Sequence, residues 1–167
     1  ASFGHGIALT PMKLISAFAA FANDGNLMKP YVVEEIQYGN GKTKKTTPTK
    51  VMRVITPEAL QKLLPMLEAV VHGEFGSGKL ARIPGYRLAG KTGTGEIPYQ
   101  NVRGYSERVN HTFVGFGPTT DPRVIILVRL EEPIGARYAE ATAVPVFRDL
   151  MKFVLQYYEI PPDHPDN

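Results

Sequence analysis

Three segments of the chain repeat apolar residues at helical spacing, with partners three, four and seven positions apart. The first two start with the same signal, Thr10-Pro11 and Thr56-Pro57, in which a threonine caps a helix and proline fits its first turn. Pro65 is expected to kink the second helix, and Pro145 to lie in the first turn of the third or to kink it. The pattern predicts helices over 10–22, 56–73 and 139–158.

Other segments are rich in β-branched and aromatic residues or alternate apolar with polar positions, as strands do. The predicted strands cover 31–38, 51–55, a segment that starts near Tyr86 and carries Lys91, 111–117 and 124–130. The first reaches a turn at Gly39-Asn40-Gly41, from which the second is expected to return. The last three are expected to pair as antiparallel neighbours, with the third helix packed on their sheet.

Polar and proline-rich stretches separate these elements. Residues 74–79 and 96–110 are predicted as polar loops. Residues 160–167 contain three prolines and two aspartates, which is typical of a linker or a ragged end.

Length and composition fit one domain or a large part of one. The chain has 167 residues, 43% of them hydrophobic, so we expect an α+β fold in which helices flank an antiparallel sheet. The net charge is +3, and the basic residues cluster in 42–53 without interleaved aromatics, which favours a solvated hairpin over a nucleic-acid surface. The chain has no cysteine, and therefore no disulfide framework. Since it has no run of eighteen apolar residues, any membrane anchor is expected outside this chain.

The most distinctive polar residues are Lys91-Thr92-Gly93-Thr94, which lie inside an apolar, strand-like run. The lysine ammonium is a compact positive charge, the threonine hydroxyls are rotatable donors, and the glycine lets a ligand backbone approach closely. These residues predict an anion site at the edge of a sheet, suited to a peptide that bears a carboxylate. The plainer alternative is an ordinary exposed strand end.

A phosphate-binding loop is a competing interpretation of the same residues. The segment from Gly85 to Thr92 matches G-x-x-x-x-G-K-[ST], but that motif needs a buried strand before it and a helix that starts at the lysine. Pro84 precedes the motif, and Gly93, Gly95 and Pro98 follow the lysine where a helix is required. We therefore favour the strand.

Four segments, in the same order along the chain, resemble the C-terminal portion of the transpeptidase domain of class B penicillin-binding proteins. They are Phe3-Gly4-His5-Gly6-Ile7-Ala8-Leu9-Thr10-Pro11, Asn23-Asp24-Gly25-Asn26-Leu27-Met28-Lys29-Pro30, Ala89-Gly90-Lys91-Thr92-Gly93-Thr94 and Phe113-Val114-Gly115-Phe116. K-T-G is a signature that these proteins share with serine β-lactamases. The resemblance implies a partial penicillin-binding fold over residues 1–160, with 161–167 as a tail or linker.

The resemblance also implies a function. The parent protein would be a serine-type D,D-transpeptidase that cross-links peptidoglycan stem peptides through an acyl-enzyme, without a cofactor or metal. It would bind β-lactam antibiotics and act at the extracytoplasmic face of the bacterial cell membrane. Lys91 would add positive potential near the nucleophile, Thr92, Gly93 and Thr94 would bind the carboxylate, and the Thr94 amide would form half of the oxyanion hole.

The attacking groups of that family are missing from this chain. The family uses an S-x-x-K motif for its nucleophile and an S-x-N motif across the cleft, and none of Ser2, Ser16, Ser77 and Ser106 fits either pattern. Thr10-Pro11-Met12-Lys13 imitates the first motif, but Thr10 is better explained as a helix cap. Tyr99-Gln100-Asn101 imitates the second motif, but it follows K-T-G, whereas the family has that motif earlier in the chain. The chain alone is therefore predicted to be an inactive, substrate-docking half that needs the N-terminal part of its domain.

A non-catalytic module is the alternative from a different class. It would keep the fold as a peptidoglycan- or β-lactam-binding sensor domain without the chemistry. The histidines His5, His72 and His111 show no metal-ligand spacing and are interpreted as structural.

Overall fold

The computed structural model describes residues 7–164. Residues 1–6, which hold His5 and the start of the first family-like segment, and residues 165–167 lie outside that range. The helices are α1 (Pro11–Phe18), α2 (Pro57–His72) and α3 (Ala143–Tyr157). The strands are β1 (Asn26–Lys29), β2 (Glu35–Gln37), β3 (Thr43–Lys45), β4 (Thr49–Arg53), β5 (Ala89–Pro98), β6 (Tyr105–Gly117) and β7 (Val124–Glu131). Within 7–164, no helix combines the length and apolar character that crossing a membrane requires.

A three-stranded antiparallel sheet in the order β5-β6-β7 forms the centre of the structure. Because side chains alternate across a strand, Phe113 and Phe116 of β6 point to opposite faces. The Phe113 ring lies 4.7 Å from that of Phe147 in α3, and the Phe116 ring lies 6.2 Å from that of Phe18 in α1. Helices therefore cover both faces, with α2 beside α3 in the main core. The predicted α+β class and the pairing of the last three strands are confirmed.

The helix starts follow the sequence signals. The Thr10 hydroxyl accepts from the Lys13 N–H at 3.3 Å, and the Thr56 hydroxyl accepts from the Ala59 N–H at the same distance. Pro145 lies in the first turn of α3, as predicted. Helix α2 continues through Pro65, and the kink expected there stays a prediction.

The prediction for 31–55 is partly wrong. The turn at 39–41 is confirmed, but the strand before it is confined to β2, and β3 rather than β4 returns from the turn. Strand β4 instead pairs with β1, a strand that the sequence did not predict. Val32 is 96% exposed, since residues 31–33 have no strand beside them in the described structure. Their β-branched and aromatic composition favours a strand, but without a partner it does not form one.

The polar loop predicted over 96–110 is also wrong. Strand β5 extends to Pro98 and β6 begins at Tyr105, so most of this stretch forms a projecting antiparallel hairpin. At the other end, β5 starts at Ala89, whereas Tyr86 makes only an isolated bridge to Ile83. Most residues of this hairpin are polar and exposed. Its amino-acid composition therefore does not distinguish a hairpin from a loop.

Residues 160–164 contact the body of the fold. The Tyr86 hydroxyl donates to the Ile160 carbonyl at 2.7 Å. The Asp163 carboxylate accepts from the Arg87 N–H at 2.8 Å and from the Thr120 hydroxyl at 3.0 Å. The start of the expected linker is thus held against the segment that leads into β5.

The segment that leads into β5 is joined to the end of α2 by side-chain hydrogen bonds. The Arg82 guanidinium donates to the carbonyls of Val71, His72 and Gly73 at the C-terminus of α2. The Leu88 N–H, one residue before β5, donates to His72 Nε2 at 3.0 Å. That bond requires an unprotonated Nε2. Burial, followed by the nearby Arg82 charge, lowers the pKa of His72 below 6.5.

We predict that acidification weakens this connection. Because the folded-state pKa of His72 is lowered, its contribution to stability is fully present above the unfolded value of about 6.5 and is lost as the pH falls through the folded value. Urea unfolding at a series of pH values from 7.5 to about 5 should show a falling free energy of unfolding. His72→Gln keeps an acceptor but has no titrating group, so its profile should be flatter. Identical profiles for the two proteins would contradict the assignment.

Candidate active site

The predicted site residues lie in the first half of β5, an edge strand of the central sheet among the described residues. Each of them has a partner on β6: Val114 for Lys91, Phe113 for Thr92, Thr112 for Gly93 and His111 for Thr94. Gly90, just before them, is buried, and a Cβ there would lie 2.6 Å from the Phe113 ring. Glycine at this position lets β5 lie close above the core aromatic residue. Lys91 lies in a strand and not at a helix start, so the phosphate-loop alternative is wrong.

Lys91 is exposed, and its ammonium donates to the carbonyl oxygen of Thr92 at 2.9 Å. An ammonium has three donors, so this contact leaves capacity for a further acceptor. The positive charge is thereby held beside the backbone of β5.

Thr92 is linked to the loop that follows α2. Its hydroxyl lies 2.9 Å from the Ser77 hydroxyl, and either oxygen could be the donor. Where Ser77 donates, the Thr92 proton stays available to a ligand. Ser77 thus joins the site as a neighbour of Thr92.

Thr94 is held by the segment before α3. Its hydroxyl accepts from the Ala139 N–H at 3.2 Å. A hydroxyl that accepts this bond still has its own proton to donate. The contact therefore fixes the oxygen and leaves the O–H group available to an anion.

Gly93 stands against Thr112 of β6. A Cβ at Gly93 would overlap the Thr112 hydroxyl oxygen, and that hydroxyl donates to the Gly93 carbonyl at 3.4 Å. The neighbouring strand thus leaves no room for a Cβ at the glycine of the motif.

A cleft of about 930 Å³ opens beside Thr94. Its walls are the β5–β6 hairpin and the loop 132–138. The two walls are linked by an ion pair between Arg108 of the hairpin and Glu132 of the loop, with Nη1 and Oε2 3.0 Å apart. Both side chains are substantially exposed. The Arg137 guanidinium lies 5.4 Å from the centre of the Tyr138 ring. Thr94 therefore borders an open groove whose walls carry both charged and aromatic side chains.

The structure adds residues that the sequence analysis did not assign to the site. Ser77 was placed in a surface loop, Thr112 in a strand without a role, and Ala139 at the start of a helix. Each contacts Thr92, Gly93 or Thr94 through a hydrogen bond between segments distant in sequence. The order of elements predicted that β5 and β6 pair, but no sequence signal gives these individual contacts. Within the described range, no cluster of three or more His, Asp or Glu residues is arranged to hold a metal ion.

Comparison with known families assigns the chain to one class. Residues 1–152 match the model of the penicillin binding protein transpeptidase domain. The chain belongs to this family.

Relatives and solved structures agree with that assignment. The chain is 33% identical to a peptidoglycan D,D-transpeptidase FtsI homolog of Mesostigma viride and 34% identical to the stage V sporulation protein D of Bacillus subtilis. It covers 29% and 23% of those proteins, whereas 98% and 90% of this chain is matched. The transpeptidase domain of Burkholderia pseudomallei penicillin-binding protein 3 superposes with a TM-score of 0.77 at 31% identity over 98% of this chain and 47% of that one. Penicillin-binding protein 3 of Mycobacterium tuberculosis complexed with ampicillin gives a TM-score of 0.86 at 26% identity over 98% of this chain and 38% of that one. The chain thus spans less than half of each of these four proteins.

We predict that Gly93→Ala destabilises the β5–β6 pair by about 1–3 kcal/mol, the cost of inserting a methyl group into a packed position. Adding Thr112→Ala should recover most of that loss, because it removes the overlapping oxygen. Gly95→Ala is the matched control, since a Cβ there meets nothing within 4 Å. Urea unfolding of the four variants measures the effect. Equal losses for Gly93→Ala and Gly95→Ala, or strict additivity with Thr112→Ala, would contradict the packing argument.

Proposed function

We propose that this chain is the substrate-docking half of a peptidoglycan D,D-transpeptidase, in which β5 binds the carboxylate end of a stem peptide. The observation that carries the proposal is the position of Lys91 and Thr94 on a strand that lies at the sheet edge within residues 7–164, with Thr94 lining an open cleft. The names of the relatives, several of them peptidoglycan D,D-transpeptidases, support the same function.

The orientation of the β5 backbone supports a role in binding an oxyanion. In an antiparallel strand, the N–H and C=O of one residue point the same way, and residues two apart share that direction. The Thr92 carbonyl receives the exposed Lys91 ammonium, which indicates that the polar groups of Thr92 face the uncovered side. We infer that the Thr94 N–H faces the same side. It would supply half of an oxyanion hole, a donor whose loss typically costs a factor of about 10²–10³ in rate.

The side chains suit the carboxylate of a peptide or of a β-lactam that mimics it. Thr94 keeps a free O–H donor, Thr92 keeps one where Ser77 donates, and Lys91 adds a positive charge. Hydrogen bonds to a charged acceptor are stronger than neutral ones. Gly93 leaves the strand without a side chain between the two threonines.

The remaining groups belong to the part of the domain that this chain does not contain. A serine hydroxyl from that part would attack the donor carbonyl and form an acyl-enzyme ester, as the terminal amine leaves with a proton. The amine of an acceptor peptide would then take the acyl group and free the serine. In this proposal, the chain binds and polarises the substrate but does not supply the nucleophile. The site is proposed to act outside the cytoplasmic membrane, where peptidoglycan is cross-linked.

We predict that removing a single donor weakens acylation of the parent protein. Lys91→Ala and Thr94→Val should each lower the second-order rate of labelling by a fluorescent penicillin about tenfold to a hundredfold, the worth of a hydrogen bond to a charged group. Lys44→Ala and Thr43→Val are matched controls, since both residues are exposed on β3. Labelling rates that equal those of the controls would contradict the assigned roles.

A second experiment tests whether the nucleophile lies outside this chain. It compares fluorescent-penicillin labelling of this chain with that of a version extended N-terminally through the rest of the domain. Labelling of the extended version alone is expected, because only that version has the nucleophile. Labelling of neither would favour a binding module that has lost the chemistry. Acylation of the short chain would contradict the proposal that it is the docking half.

A further inference from the structure

His111 is a polar side chain with no solvent exposure, and it stands directly across the β5–β6 pair from Thr94. Burying an imidazole is unfavourable unless its nitrogens are hydrogen-bonded. An apolar side chain of similar size would fill the same volume without that requirement. The partners of His111 therefore indicate what the ring contributes.

Both ring nitrogens contact the segment between β7 and α3. Nε2 lies 3.3 Å from the Arg137 carbonyl oxygen, and because a carbonyl only accepts, Nε2 carries the proton. Nδ1 lies 2.8 Å from the Thr142 hydroxyl oxygen, within hydrogen-bond distance. His111 thus holds the chain at Arg137 and again at Thr142.

Between these two attachments lies Ala139, whose N–H donates to the Thr94 hydroxyl oxygen at 3.2 Å. Ala139 is 1% exposed, so this amide is fixed in a packed environment. His111 and Thr94 are therefore neighbours by strand pairing and are joined a second time through Arg137, Ala139 and Thr142. These contacts hold the Thr94 oxygen in place and occupy one of its lone pairs, which leaves its proton available to another acceptor.

We propose that His111 is a positioning residue for carboxylate binding. It holds the segment 137–142 so that Ala139 engages the Thr94 oxygen and the Thr94 O–H group points to the ligand carboxylate. The proposal rests on the proposed function, because it needs Thr94 to bind that carboxylate. His111 itself does not touch the ligand.

The test measures acylation of the full-length parent protein by a penicillin with a free carboxylate and by the same compound with that carboxylate esterified. His111→Leu removes both hydrogen bonds of the ring and fills the same volume with an apolar side chain. Thr142→Val removes the partner of Nδ1, and Thr142→Ser restores it.

We expect His111→Leu and Thr142→Val to slow acylation by the free acid about fivefold to tenfold, chiefly through weaker binding, with much smaller effects on the ester. Thr142→Ser should match the unsubstituted protein.

A double-mutant cycle separates this role from general destabilisation. In the Thr94→Val background, Thr142→Val should cause little further loss with the free acid, because both substitutions disable the same hydroxyl. Val128→Ala is the control, since Val128 is a buried β7 residue whose truncation should affect acid and ester alike. Equal losses with acid and ester for His111→Leu and Thr142→Val, or additivity with Thr94→Val, would overturn the proposal. If the unsubstituted parent is not acylated at all, the proposed function fails as well.

Discussion

The antiparallel pairing of β5 with β6 is the constraint on which the rest of the structure depends. It places Lys91 to Thr94 opposite Val114 to His111, so each site residue has a fixed neighbour on the adjacent strand. A slip of one residue would exchange the two faces of the sheet. Phe113 would then leave the core that it forms with Phe147, and Thr94 would lose its alignment with Ala139. The packing of the core therefore specifies the geometry of the proposed binding strand.

Local sequence signals predicted the helices and the central sheet well, because their physical causes are local. The threonine caps at Thr10 and Thr56 satisfy N–H groups within three residues, and one face of the apolar run in β7 packs against the main core. The order of elements also predicted that the K-T-G residues lie on a strand next to β6. The resemblance to penicillin-binding proteins rested on that order as much as on the motif, and the family comparison confirms it.

The rest depends on contacts between distant segments, which no local pattern encodes. The polar residues of 96–110 form strands because their backbone groups pair with each other in the hairpin, not because their side chains are buried. Residues 31–33 have strand-like composition but lack a partner strand in the described structure. Ser77 and Ala139 contact the site from 15 and 45 residues away in sequence, through hydrogen bonds whose partners only the folded chain brings together.

In the proposed site, the first half of β5 offers a positive charge, two hydroxyl groups and a backbone amide, and the buried His111 holds the segment that contacts Thr94. We propose that this strand binds the carboxylate of the substrate. A crystal structure of the parent protein acylated by a penicillin tests that claim most directly. The account predicts carboxylate oxygens within about 2.5–3.0 Å of the Thr94 hydroxyl, the normal range for such hydrogen bonds, with the Lys91 ammonium nearby. A carboxylate bound elsewhere, with β5 facing away from the ligand, would contradict it.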